Sequence, residues 1–120
     1  DEVLKRIAEA LKGGTRDFDV VARYGGEEFI ILLRGAPNDI AARVAERLRA
    51  SIERTRFDVE GLIVTASFGL CSYTPEYKDV DAVIKAADDE LYRAKESGRN
   101  RVCGANYEER GDAPTETPAP

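Results

Sequence analysis

Two glycines followed at once by two carboxylates, Gly25-Gly26-Glu27-Glu28, with Phe29 behind them, are the part of this sequence best suited to chemistry. Adjacent carboxylates supply the hard oxygen ligands that Mg²⁺ takes, and glycine lets a backbone approach a base or a phosphate that a side chain would hold off. The segment therefore describes a metal and nucleotide site, with Glu27 and Glu28 as the carboxylates. An ordinary hairpin with solvated glutamates is the plainer alternative. Composition weighs against it, since GGEEF is expected by chance in only roughly three of ten thousand chains of this make-up.

Basic residues that could meet phosphate lie elsewhere. Lys95 and Arg99 are four apart and so share a face at the C-terminal end of an expected helix, where the dipole favours cations. Taken without context, such a pair is simply solvated charge. Arg16 and Asp19 form an RxxD, of which roughly one is expected by chance in a chain with this much Arg and Asp, so only its spacing to GGEEF gives it weight.

The elements that must hold these residues follow from periodicity. Val3, Leu4, Ile7, Ala8 and Leu11 recur at helical spacing, with Gly13-Gly14 as the stop. Two β-prone runs, from Phe18 to Tyr24 and from Glu28 to Leu33, flank Gly25-Gly26, which is expected to supply the positive φ angles of a tight hairpin. A second apolar stripe (Ile40, Ala41, Val44, Ala45, Leu48, Ile52) predicts a helix capped by Asn38. Leu62 to Tyr73 alternates as a half-buried strand should. Val80, Val83, Ile84, Ala87, Leu91 and Ala94 predict a third helix ended by Gly98, and Asn100 to Cys103 a short final strand. From residue 105 to 120 the chain is polar, Pro-rich and aperiodic, and reads as a disordered tail. The expected fold is α/β (α+β), with helices packed on a mixed sheet.

With these pieces in place, Arg23-Tyr24-Gly25-Gly26-Glu27-Glu28-Phe29 resembles the signature of GGDEF-domain diguanylate cyclases. Asp1-Glu2-Val3-Leu4 resembles that family's helix start after its GD pair, and Val64-Thr65-Ala66-Ser67-Phe68-Gly69 its vTvSiG strand. Ala87-Asp88, Leu91-Tyr92, Ala94-Lys95 and Gly98-Arg99-Asn100-Arg101-Val102 resemble its AD-x-ALY-x-AK-x-x-GRNRV ending. The resemblance covers residues 1–104 and implies a ferredoxin-like, nucleotidyl-cyclase-like fold.

It also implies roles. Glu27 resembles the metal-binding carboxylate proposed as the base toward the attacking 3′-hydroxyl, Glu28 supports an Mg²⁺ or Mn²⁺ ion, and Gly25 and Gly26 lie against the guanine nucleotide. Lys95 and Arg99 resemble triphosphate contacts. Arg16, Asp19 and Arg47 resemble an inhibitory site for the product. The implied reaction joins two GTP into cyclic di-GMP across a homodimer, each 3′-hydroxyl attacking the other GTP's α-phosphate. A catalytically silent GGDEF domain that acts as a cyclic di-GMP receptor is the rival, and an intact GGEEF disfavours it. A further metal-binding aspartate, the guanine-reading residues and a transition-state lysine lie, in the family, in a first strand and helix with no counterpart in these residues. The chain, which has no methionine, is accordingly expected to be truncated, to leave a gap in its sheet and to turn over nothing alone.

Composition bounds the rest. One modest core fits 120 residues with 42% hydrophobic content, so one domain is expected. A net charge of −5 argues against a nucleic acid duplex, whose affinity comes from Lys and Arg, but not against a single nucleotide. Cys71 and Cys103 show no CxxC pattern and there is no histidine, which suits a reducing compartment and argues against a zinc site. A cytoplasmic domain is expected, in a parent that an upstream region could anchor to a membrane.

Overall fold

In the computed structural model, residues 2–105 are described. They form α1 (Glu2–Gly13), β1 (Val20–Gly25), β2 (Glu28–Leu32), α2 (Asn38–Arg54), β3 (Phe68–Leu70), α3 (Val80–Glu96) and β4 (Val102–Gly104), an α+β order. The helix start expected at Asp1 and the disordered tail expected from 105 onward lie outside the described residues, apart from Ala105 itself.

The core begins where α1 meets α2. Leu11, Leu48 and Ile52 are almost fully buried, and Val21, Phe29, Ile31, Val64, Ala66 and Phe68 pack against them. Burial of each such aliphatic side chain stabilises the fold by about 1.5–3 kcal/mol. The helix pair is thus a floor on which both the hairpin and the chain leading into β3 rest, and Phe29 anchors the hairpin to it. Gly14 is needed there for space: a methyl group on it would strike the Leu48 side chain. Its N–H donates to the Ala10 carbonyl at 3.1 Å, and the Thr15 hydroxyl donates to the Leu11 carbonyl at 3.1 Å, closing α1.

Helix α2 departs from expectation at its first turn. Pro37, not Asn38, is the N-cap, and it makes no side-chain cap bond. Proline, which has no N–H to satisfy, is well tolerated at a helix start. The Asn38 amide instead donates to the Ala105 carbonyl at 3.4 Å, tying α2 to the chain beyond β4.

The strands form two separate pairs. β1 and β2 are antiparallel, with Val20 opposite Leu32 and Arg23 opposite Phe29. β3 and β4 are parallel, with Phe68 opposite Val102. Both parallel and antiparallel pairing are present, but among the described residues no ladder joins the two pairs. The strand expected over Leu62–Tyr73 is correspondingly reduced to Phe68–Leu70. Leu62, Val64 and Ala66 do alternate in burial with exposed Ile63 and Thr65, so the period is right and the hydrogen-bonding neighbour is what is missing.

Helix α3 fixes the far side. The Asp79 carboxylate caps it, accepting from the Ala82 N–H at 2.9 Å. β3 runs so close to it that a methyl group on Gly69 would strike the Ala87 carbonyl and the Leu91 amide. The helix ends in a Schellman turn: Gly98 adopts φ 128°, and the Arg99 N–H donates to the Ala94 carbonyl at 2.9 Å. Neither Cys71 nor Cys103 is in a disulfide.

Candidate functional site

β1 ends at Gly25 and β2 starts at Glu28, so Gly26 and Glu27 form the turn between them. The positive φ angles expected at Gly25 and Gly26 are not found: among the described residues the glycines with positive φ are Gly35, Gly61 and Gly98. A slip of register between Arg23 and Gly25, a bulge, carries the chain round instead. Arg23 fastens the turn, its guanidinium donating to the Gly26 carbonyl from Nε at 3.0 Å and Nη2 at 2.5 Å. A methyl group on Gly25 or Gly26 would meet nothing within 4 Å. Neither backbone angle nor packing calls for glycine at these positions, which present bare, exposed main chain.

Glu27 is exposed at the tip of this turn and Glu28 is half-buried behind it. The Lys95 Nζ, on the last turn of α3, lies 3.7 Å from the Glu28 Oε2. The fold thus brings together a carboxylate and a cation separated by more than sixty residues. With side chains 35% and 44% exposed, the pair contributes less than about 1 kcal/mol and is readily exchanged for a stronger partner. Two adjacent carboxylates, Glu27 and Glu28, are the candidate oxygen donors for a divalent ion, and among the described residues no group of three or more His, Cys, Asp or Glu gathers to hold one. Mg²⁺ is commonly held in this way, by one or two carboxylates with water and phosphate oxygens completing the shell.

Arg99 is not where a shared helix face would put it. α3 ends at Glu96 and caps at Ser97, so Arg99 lies in the turn beyond, at φ 64°, followed by Asn100 at φ 50°. Gly98 interrupts the helix, and the four-residue spacing to Lys95 no longer implies a common face.

Arg16, Asp19 and Arg47 line one cavity of about 220 Å³, together with Gly14, Thr15, Ile40 and Val44. Asp19 is buried and fully engaged. It accepts from the Arg16 Nε at 3.0 Å and Nη2 at 3.1 Å, from the Arg16 N–H at 2.9 Å and from the Arg34 N–H at 3.1 Å. The Arg16 side-chain bond holds its pKa down at about 2, burial opposing and the Arg16 and Arg34 N–H groups assisting. The Arg16 guanidinium also donates to the Arg34 carbonyl at 2.9 Å and lies over the Phe18 ring, 4.6 Å from its centre. The Arg47 Nη2 donates to the Gly14 carbonyl at 3.0 Å. A neighbouring groove of about 420 Å³ shares Gly14 and Arg47 and adds Ser51 and Arg54. Sequence reasoning missed the Arg34 backbone, which carries no signal, and Arg23, whose place two residues before the glycines acquires meaning only from the bulge.

The family model described as "Diguanylate cyclase, GGDEF domain" matches residues 1–101. The chain belongs to the GGDEF diguanylate cyclase family. This GGDEF domain is 41% identical over 104 residues to Diguanylate cyclase A of Treponema denticola, a match covering 85% of the chain and 28% of that protein. The chain therefore spans under a third of that relative's length. Among solved structures it resembles the active GGEEF domain of a diguanylate cyclase from Vibrio cholerae, with TM-score 0.83 and 31% identity over 91% of this chain and 69% of that one. It also resembles the coiled coil and GGDEF domain of DgcB from Caulobacter crescentus in complex with c-di-GMP. There the TM-score is 0.80 and the identity 25%, over 87% of this chain and 56% of that one. None of the helices described here is long and apolar enough to cross a membrane.

Proposed function

We propose that this GGDEF domain contributes one half of a site that condenses two GTP into cyclic di-GMP with release of two pyrophosphates. The observation that supports the reading is the contact of the GGEE turn with Lys95, whose Nζ lies 3.7 Å from the Glu28 carboxylate. Glu27 takes the proton from the 3′-hydroxyl of its GTP. That oxygen forms a bond to the α-phosphorus of the GTP on the facing domain, the bond from this phosphorus to the bridging oxygen breaks, and pyrophosphate leaves. Lys95 exchanges Glu28 for the triphosphate, and Arg99 joins it there. The bare main chain of Gly25 and Gly26 lies against the nucleotide. A divalent ion held by Glu27 and Glu28, Mg²⁺ or Mn²⁺, supplies stabilisation of the developing charge and a lower hydroxyl pKa. Because each domain holds one GTP, a homodimer is required and its orientation governs the rate. The residues described here, with two carboxylates and no third, turn over nothing alone.

Arg16, Asp19 and Arg47 form the product site, where two guanidinium groups face one cavity and can fork onto phosphate or a guanine edge. Cyclic di-GMP bound there inhibits the enzyme. The bonds that tie Asp19 to Arg16 and to the Arg34 N–H, and so hold Arg16 at this cavity, favour the second reading, a receptor without turnover.

The test is cyclic di-GMP output from GTP and Mg²⁺ by the natural protein carrying this domain, beside its Glu27→Gln variant. Product from the unaltered protein alone supports the cyclase. Cyclic di-GMP binding without product from either supports the receptor.

A further inference from the structure

Two pieces of the family resemblance, Ser67 in the strand segment and Asn100 in the ending, have no role in the reaction above, yet they meet in space. The Asn100 N–H donates to the Ser67 Oγ at 3.1 Å. Its side chain is held on both sides by α2: the Oδ1 accepts from the Arg49 Nη1 at 2.8 Å, and the Nδ2 donates to the Glu53 Oε2 at 3.2 Å. Arg49 is itself fixed, bonded to the Glu46 carboxylate at 3.0 and 2.6 Å and to the Glu53 Oε1 at 3.0 Å. Its side chain is only 16% exposed, and its pKa is raised by the Glu46 hydrogen bonds.

This clamp stands directly behind a strained backbone. Arg99 and Asn100 are the two non-glycine residues with positive φ among those described, at 64° and 50°. Asparagine tolerates the left-handed region, but arginine has no such excuse and persists there only where its surroundings over-determine it. The Arg99 guanidinium is exposed and engages nothing among the described residues. The conformation secures no internal contact of that side chain; it serves the main chain, whose N–H donates to the Ala94 carbonyl at 2.9 Å and whose carbonyl accepts from the Arg101 Nε at 3.2 Å, and it sets where the exposed side chain leaves the backbone.

We propose that Asn100, clamped by Arg49, Glu53 and Ser67, is a positioning residue that holds the Arg99 backbone left-handed and so aims the Arg99 guanidinium at the triphosphate of GTP. The inference rests on the reading of Arg99 given under Proposed function. Asn100 touches no substrate and acts only through its neighbour.

A double-mutant cycle on KM for GTP in the natural protein tests it. Arg99→Ala is expected to raise KM about tenfold. Asn100→Gly keeps the positive φ accessible but removes the side-chain bonds, and is expected to raise KM several-fold with kcat changing less. In the Arg99→Ala background Asn100→Gly should add less than about twofold, since its effect passes through Arg99. A full Asn100→Gly effect in that background, or none in the unaltered one, overturns the inference. If Asn100→Gly fails to fold, the same cycle with Arg49→Lys, which keeps the charge but loses the fork, decides in the same way. An unchanged KM in Arg99→Ala alone identifies a different failure, that of Arg99 as a triphosphate contact, and the inference falls with it.

Discussion

Replacing Gly26 by alanine separates what the hairpin needs from what the nucleotide needs. At Gly26 φ is not positive and a methyl group would meet nothing within 4 Å. The Arg23 bonds end on the Gly26 carbonyl, which alanine retains. The folded state therefore loses nothing, while the unfolded chain loses freedom, and such replacements stabilise by about 0.4–1 kcal/mol. Turnover should behave oppositely. A methyl group standing where the nucleotide lies against bare main chain displaces it by roughly 1 Å, and a misplacement of that size can cost about a hundredfold in rate. The assay pairs urea unfolding with kcat/KM for cyclic di-GMP formation, both on the natural protein. A stability loss above about 1 kcal/mol would show that the hairpin itself requires glycine. Unchanged turnover would show that nothing approaches the turn.

Gly69→Ala should do the reverse of Gly26→Ala, destabilising by about 1–3 kcal/mol because its methyl group strikes backbone of α3 that cannot swing aside; unchanged urea unfolding would contradict the packing. Ile52→Ala, at 1% exposure in the centre of the α1–α2 floor, should cost about 2–5 kcal/mol by the same measurement. Asp19 should leave a signature in acid. Its folded pKa is depressed to about 2 from an ordinary 3.8, so between these values the unfolded chain binds the extra proton and stability rises with pH. The stability difference between the unaltered protein and Asp19→Asn should be full above the upper value and close as pH falls through the lower one. A difference that does not change across this window would mean that Asp19 is not held as its bonds suggest. Arg47→Ala should weaken cyclic di-GMP binding by about tenfold in calorimetry while leaving GTP turnover in the absence of product unchanged; equal binding would remove Arg47 from the product site.

Much of the fold was legible because the signals are local. The stripes from Val3 to Leu11 and from Val80 to Ala94 each declare a helix, and Gly98 its end. Burial along Leu62–Ala66 was legible too, but the ladder was not, because a strand exists only with a neighbour and the pattern of one segment does not supply it. Glycine was the least transparent letter. Gly98 answers to backbone angle, Gly14 and Gly69 to space, and Gly25 and Gly26 to neither, and one sequence does not tell these causes apart. The site was read in parts. The RxxD and Arg47 were placed together by resemblance and share a cavity. The expected common face of Lys95 and Arg99 was inconsistent with the helix stop assigned between them, and the stop prevailed.

The most direct measurement is the stoichiometry of the reaction in the natural protein given GTP and Mg²⁺. Two GTP consumed for each cyclic di-GMP formed, with two pyrophosphates released and the rate lost in Glu27→Gln, is the result expected of a domain that contributes half of a condensing pair. Saturable binding of cyclic di-GMP with no pyrophosphate released from GTP would contradict it.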